Sequence, residues 1–186
     1  MAYRLTATRL LVTALAAFAC NATAAQWEPD PGNKEQLRAA AAIEKFRSDV
    51  PGTAAYFDEA WGYAVLPSVT RIGFGFGGAW GKGIVVEQGA LVGTTGYWQF
   101  TSGIQAGAKN FSMIVFFRDK EAIEYFKTRA AQFMGQAGIT FANLGLDGTP
   151  AYNDGVAVFA IARFGLMGEF TVSGVKFTYK PIAVTE

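Results

Sequence analysis

The spacing of apolar and polar positions changes abruptly along this chain. Ala39, Ile43, Phe46 and Val50 recur at helical intervals, while Lys34, Arg38 and Lys45 fall on the opposite face. This spacing predicts an amphipathic helix over 33–50. Asn33 is placed to cap it, because an Asn side chain accepts from the unsatisfied amides of a first turn. Pro51-Gly52 ends it, and a second short helix is expected over 53–61. From Ala60 to Ala108 the only charges are Arg71, Lys82 and Glu87, and glycines alternate with apolar residues in Ile72-Gly73-Phe74-Gly75-Phe76-Gly77. Period-two alternation predicts strands, and glycine within them points to curvature or close backbone approach. Gln88-Gly89, between Ile84-Val85-Val86 and Leu91-Val92, reads as a hairpin turn, with a further strand at 96–100.

The runs Met113–Phe117 and Val156–Ile161 are apolar at every position, the pattern of strands covered on both faces. A helix over 119–133 follows the first run, with Asp119 as N-cap and Ile123, Phe126, Ala130 and Phe133 on its buried side. Residues 150–154 read as a loop. Ser173-Gly174 is expected to turn a last hairpin between 170–172 and 175–179. The segments 62–74 and 155–166 resemble one another in their Gly-Val-rich strand followed by Arg-x-Gly, which suggests an internal pseudo-repeat. The fold class is therefore α+β: N-terminal helices followed by a curved antiparallel β-sheet or small barrel with one inserted helix.

The extreme N-terminus has a different character. Arg4 and Arg9 precede an uncharged, mostly apolar run from Leu10 to Ala19, and small residues follow at 22–25. This is the layout of a secretory signal over 1–24, and the run is too short to span a bilayer. Residues 25–33 then form a linker, and 34–186 a single domain. Cleavage after Ala24 leaves 162 of 186 residues and, with Arg4 and Arg9 gone, moves the formal charge from +1 to −1. Cys20, the single cysteine, offers a second outcome: acylation as a lipoprotein, although Ala17 and Phe18 before it depart from the usual lipobox. The expected location is the periplasm or the exterior, with a membrane-anchored form if Cys20 is acylated.

Composition narrows the chemistry. With no histidine, Ser-His-Asp and Cys-His nucleophiles and His-based metal sites are excluded. A near-neutral chain carries no footprint for nucleic acid. Gly73-x-Gly75-x-x-Gly78 spells a dinucleotide fingerprint, but the strand-like Ile84-Val85-Val86 follows where a helix is required. Gly81-Lys82 lacks the first glycine and the Ser or Thr of a P-loop. The carboxylate pairs Asp58/Glu59 and Glu121/Glu124 read as exposed charges. No enzyme, cofactor or metal is expected.

Several separated blocks do resemble a family. Phe57-Asp58-Glu59-Ala60-Trp61-Gly62-Tyr63-Ala64-Val65-Leu66-Pro67 is similar to the start of the SYLF domain. The likeness continues through Ile72–Gly78, Gly81–Val85, Ile114–Phe117 with its following helix, and Gly165–Phe170 to Gly174 and Phe177. The resemblance implies a lipid-binding domain recognising phosphatidylinositol-type or other anionic phospholipids. Yeast-type members also bind actin, which an exported protein would not meet. Eukaryotic members carry a basic amphipathic helix ahead of the domain; the helix here also holds Glu35, Glu44 and Asp49. The expected function is a non-enzymatic lipid-binding module of the bacterial cell envelope, with Lys34, Arg38, Lys45, Arg71 and Lys82 as headgroup contacts. The alternative is a small outer-membrane β-barrel or a structural envelope protein.

Overall fold

A computed structural model describes residues 27–129, 140–141 and 152–182. The expected leader, Cys20 and the last turn of the 119–133 helix lie outside the described residues. The element order is α1 (Lys34–Asp49), a 3-10 turn (Pro51–Thr53), α2 (Ala54–Glu59), β1 (Gly62–Glu87), β2 (Ala90–Phe117), α3 (Lys120–Arg129), β3 (Thr140–Phe141) and β4 (Val156–Pro181). The fold is α+β, as the spacing predicts. Asn33 caps α1, its side-chain oxygen accepting from Glu35 N at 3.0 Å and Gln36 N at 3.2 Å. Asp119 does the same for α3, accepting from Ala122 N at 2.9 Å; this bond chiefly holds its carboxyl below the usual range.

The strands are longer than the local signals suggest. β1 and β2 form one hairpin of 26 and 28 residues, turning at Gln88-Gly89, both with positive φ. β4 pairs antiparallel with β2 from Val156↔Phe117 to Pro181↔Gly93. The expected turn at Ser173-Gly174 does not occur: these residues stay in β4, opposite Thr101 and Phe100. Glycine there is a strand residue, held by pairing with β2. The sheet order is β1-β2-β4-β3, with the two-residue β3 parallel to β4, so the sheet is curved and mixed only at that edge. Of the suggested pseudo-repeat, 62–74 and 155–166, residues 62–74 and 156–166 flank the same stretch of β2 on its two sides.

Curvature comes from β1 closing on itself. A Cβ on Gly83 would lie 2.2 Å from Val65 O, one on Gly81 2.9 Å from Ser68 O, and one on Gly62 2.6 Å from Val86 O. The two arms of β1 therefore approach backbone to backbone, at distances that no side chain allows. A bulge at Pro67-Ser68 bends the first arm to meet the second. Neighbouring strands fasten it: Ser112 Oγ and Arg163 Nη1 donate to Pro67 O at 2.8 and 3.0 Å, and Asn110 Nδ2 donates to Ser68 Oγ and Val69 O at 2.8 and 3.1 Å.

Folding the sheet over gives it an inside and an outside, which is why 113–117 and 156–161 are apolar throughout. The inner core gathers Leu66, Tyr97, Met113, Phe117 and Phe177, closed by Ile123 and Phe126 of α3. The outer core packs Ile43 and Phe46 of α1 and Tyr56 of α2 on Val65, Ile84, Ile114, Phe116 and Phe159. Tyr56 meets the Phe159 ring edge-on at 5.0 Å, and Arg47 stacks over Phe57 at 4.2 Å. Trp27, in the segment expected to be a linker, is buried in this outer core. Each large buried side chain stabilises by about 1.5–3 kcal/mol.

A polar clasp ties α3 to the hairpin end. Lys127 Nζ donates to Glu87 Oε2 and to Glu124 Oε1, the latter at 2.9 Å, and Trp61 Nε1 donates to Glu87 Oε1 at 2.9 Å. Burial pushes the Glu87 carboxyl up, but the Lys127 and Trp61 hydrogen bonds outweigh it and leave its pKa below 4.5. Burial also pulls Lys127 down, yet its carboxylate partners hold it above 10.5.

Two predictions follow from these contacts. Gly83→Ala should lower stability by about 1–3 kcal/mol, since overpacking here forces backbone apart; a urea midpoint equal to wild type would refute the close approach. Lys127→Met should cost about 1–3 kcal/mol at pH 7, the scale of leaving a largely buried charged group without its hydrogen-bond partner, since both side chains of the Lys127–Glu87 pair are 16% exposed. The clasp's contribution is present above pH 4.5 and is lost as acid titrates Glu87 through its lowered pKa. At the alkaline end it is lost as pH rises from 10.5 through the raised pKa of Lys127. Urea midpoints of the two proteins should therefore converge at low pH.

Candidate functional site

The bulge and the glycine crossing leave a cleft of about 600 Å³ on the outer face, beside the N-terminus of α1. Its floor is Gly81, Gly83 and Gly96, where neighbouring segments pack too closely for a side chain. Its walls are Ser68 and Thr70 from the bulged arm, Trp80 and Trp98 from the paired strands, and Thr178 from β4. A smaller lobe of about 160 Å³ adjoins it, lined by Arg38, Pro67 and Ile84, with Glu35, Ser68, Lys82 and Gly83 shared between the two. Lys82 and Lys180 border the larger lobe. The cleft thus sets three basic side chains (Arg38, Lys82 and Lys180) against one acid (Glu35), with hydroxyls and two indoles between them.

Of the residues predicted from sequence, the structure brings Arg38 and Lys82 together at this cleft. They come from α1 and from the second arm of β1, 44 positions apart, and meet because α1 covers the place where the two arms cross. Lys34 is exposed one turn before Arg38 on α1. Lys45 points to another partner, forming an i,i+4 ion pair with Asp49, whose pKa that bond lowers. Arg71 is 5% exposed within β1, so it faces the protein rather than the surface. The basic face of α1 is therefore divided, while its apolar stripe is spent on the sheet: Ala39, Ala42, Ile43 and Phe46 are all buried.

Lys180, Trp80 and Trp98 were not singled out by sequence. Their signal was strand parity. On β1 the outward positions are 76, 78, 80 and 82; on β2 they are 96, 98 and 100; on β4 they are 176, 178 and 180. The register Trp80↔Trp98↔Lys176 and Lys82↔Gly96↔Thr178 aligns them across three strands. Only the pairing of long strands, not their composition, sets these side chains in rows.

No group of three or more metal-ligating carboxylates or thiols occurs among the described residues, and no helix there is long and apolar enough to cross a membrane. The cleft's chemistry is thus that of a polar, cationic seat with aromatic walls. It suits a small anionic group attached to an apolar body.

Comparison with known proteins adds one relative. The chain is 27% identical over 139 residues to "Beta cell expansion factor A" of Aeromonas veronii, covering 73% of this chain and 52% of that protein. It therefore spans about half that relative's length. No protein-family model and no solved structure matches the chain.

Proposed function

We propose that this protein is a non-enzymatic lipid-binding module of the bacterial cell envelope, of the SYLF type, which seats an anionic phospholipid headgroup in the cleft between α1 and the crossed arms of β1. The observation that carries this reading is the convergence of Arg38, Lys82 and Lys180 with Trp80 and Trp98 on one concavity. Cations there attract a phosphate, and tryptophans suit the boundary between headgroups and acyl chains. The relative's name speaks of an effect on beta cells and brings no ligand chemistry to this chain.

The outer-membrane barrel reading is disfavoured on physical grounds. A transmembrane barrel needs a continuous apolar band on its outer face. Here α1 and α2 cover the outer face of the first arm, where Val65, Ile114 and Phe116 lie beneath them.

Co-sedimentation with vesicles tests the proposal. The protein should pellet with phosphatidylglycerol or phosphatidylinositol vesicles more strongly than with phosphatidylcholine. A basic residue near an anionic surface contributes about 1 kcal/mol, so Lys82→Gln should weaken anionic binding about fivefold. Lys82 is exposed, so the change should leave the urea midpoint unaltered. Absence of binding to every vesicle type would overturn the reading.

A further inference from the structure

The most exposed large apolar side chains in the described structure are not scattered. Phe74 is 87% exposed, Phe76 79% and Phe100 75%, with Ile72 half exposed beside them. All belong to the bend of the β1–β2 hairpin, far from the turn at Gln88-Gly89. Gly75 forms the apex with φ +72°, and there the β1–β2 register shifts: Phe74 pairs with Ala106 and Phe76 with Ser102, which sets three residues of β2 opposite Gly75. Both phenylalanines occupy outward positions of β1, two residues apart, on either side of a glycine whose added Cβ would meet open space. Phe100 lies diagonal to Phe76 on the neighbouring strand, so the rings form one patch. A folded chain with two well-filled cores has no packing need for such a patch, and exposed clusters of this kind mark interaction sites.

What the patch meets is indicated by the order of residues leading from it. Along the outward positions of β1 come Phe74, Phe76, Trp80 and then Lys82; along β2 come Phe100 and then Trp98; β4 sets Lys176 opposite Trp98. The sequence hydrocarbon, indole, cation reproduces the layering of a membrane surface. The spacing agrees as well. At about 3.3 Å per residue, Phe76 to Trp80 spans up to roughly 13 Å and Phe76 to Lys82 up to roughly 20 Å, against about 15 Å for half a bilayer's hydrocarbon. Acids are sparse in these strands: β1 and β2 contain only Glu87, bound to Lys127 at the other end, and β4 contains only Glu169, in register with Gln105.

We propose that this apex is a membrane-insertion edge: Phe74, Phe76 and Phe100 enter the hydrocarbon of a lipid bilayer, Trp80 and Trp98 rest at the interface, and Lys82 reaches the headgroups. The proposal rests on the lipid-binding reading above and adds its orientation, with the headgroup cleft held just above the inserted rings. β1 ends the hydrogen-bonded order of the sheet, and backbone of an edge strand is costly in hydrocarbon. Insertion is therefore shallow, by side chains, and does not span.

The test compares three forms of the purified protein on phosphatidylcholine vesicles in about 1 M salt, where charges are screened beyond about 3 Å. Wild type should bind. The triple variant Phe74→Ser, Phe76→Ser, Phe100→Ser should bind about a hundredfold more weakly, given the area three phenylalanines remove from water. The variant Phe74→Leu, Phe76→Leu, Phe100→Leu should bind nearly as wild type, and unchanged urea midpoints should show that all three fold. If wild type binds vesicles and the Ser variant binds equally, the insertion edge is wrong while the lipid reading stands. If wild type binds no vesicle of any composition, both are wrong. If the Ser substitutions instead convert an oligomer to a monomer and leave vesicle binding unchanged, the patch joins copies of the chain and the proposal is overturned.

Discussion

The contact on which this molecule depends is the backbone crossing of β1 with itself at Gly62, Gly81 and Gly83. Each glycine stands where even a methyl group would lie under 3 Å from a carbonyl of the opposite arm. A flat hairpin of 26 and 28 residues would expose long apolar faces and unpaired edges. Bending it double instead buries one face in an inner core under α3. The crossing also lets α1 cover the seam, with Ile43 and Phe46 packed on Val65, Ile84 and Val86 from the two arms at once.

The same bend creates the surface features. The cleft lies beside the glycines where the arms cross; at the bend, on either side of Gly75, Phe74 and Phe76 stand exposed. Cation seat and aromatic edge are thus two ends of one curled ribbon, joined by Trp80 and Trp98. Polar side chains hold the geometry between them. Asn110, Ser112 and Arg163 all donate to the bulge at Pro67–Val69, which fixes where the first arm meets the second.

Much of this was legible in residue order. Asn33, Asp119, Pro51-Gly52 and Gln88-Gly89 act through local chemistry and sit where their types imply. The doubly apolar runs 113–117 and 156–161 announced strands with two covered faces. What was not legible depends on distant pairing. Ser173-Gly174 has the composition of a turn, but Thr101 and Phe100 of β2 hold it extended. Lys45 looked equivalent to Arg38 on the helix face, yet Asp49 takes it, and Arg71 proved to face inward by strand parity. Trp80, Trp98 and Lys180 became neighbours only once register placed three strands side by side. Phe74 and Phe76 were visible as part of an alternation that marks a strand; which side of that alternation faces outward was set by the distant pairing with β2.

The central claim is that lipid contact is made by the bent end of the sheet and the cleft beside it, not by the part of α1 that carries Lys45. Its most direct measurement is the emission of an environment-sensitive fluorophore attached at position 76 and, separately, at position 45. On adding vesicles, the account predicts a blue shift and quenching by acyl-chain bromine at position 76, with position 45 unchanged. A response at position 45 with none at 76 would contradict it.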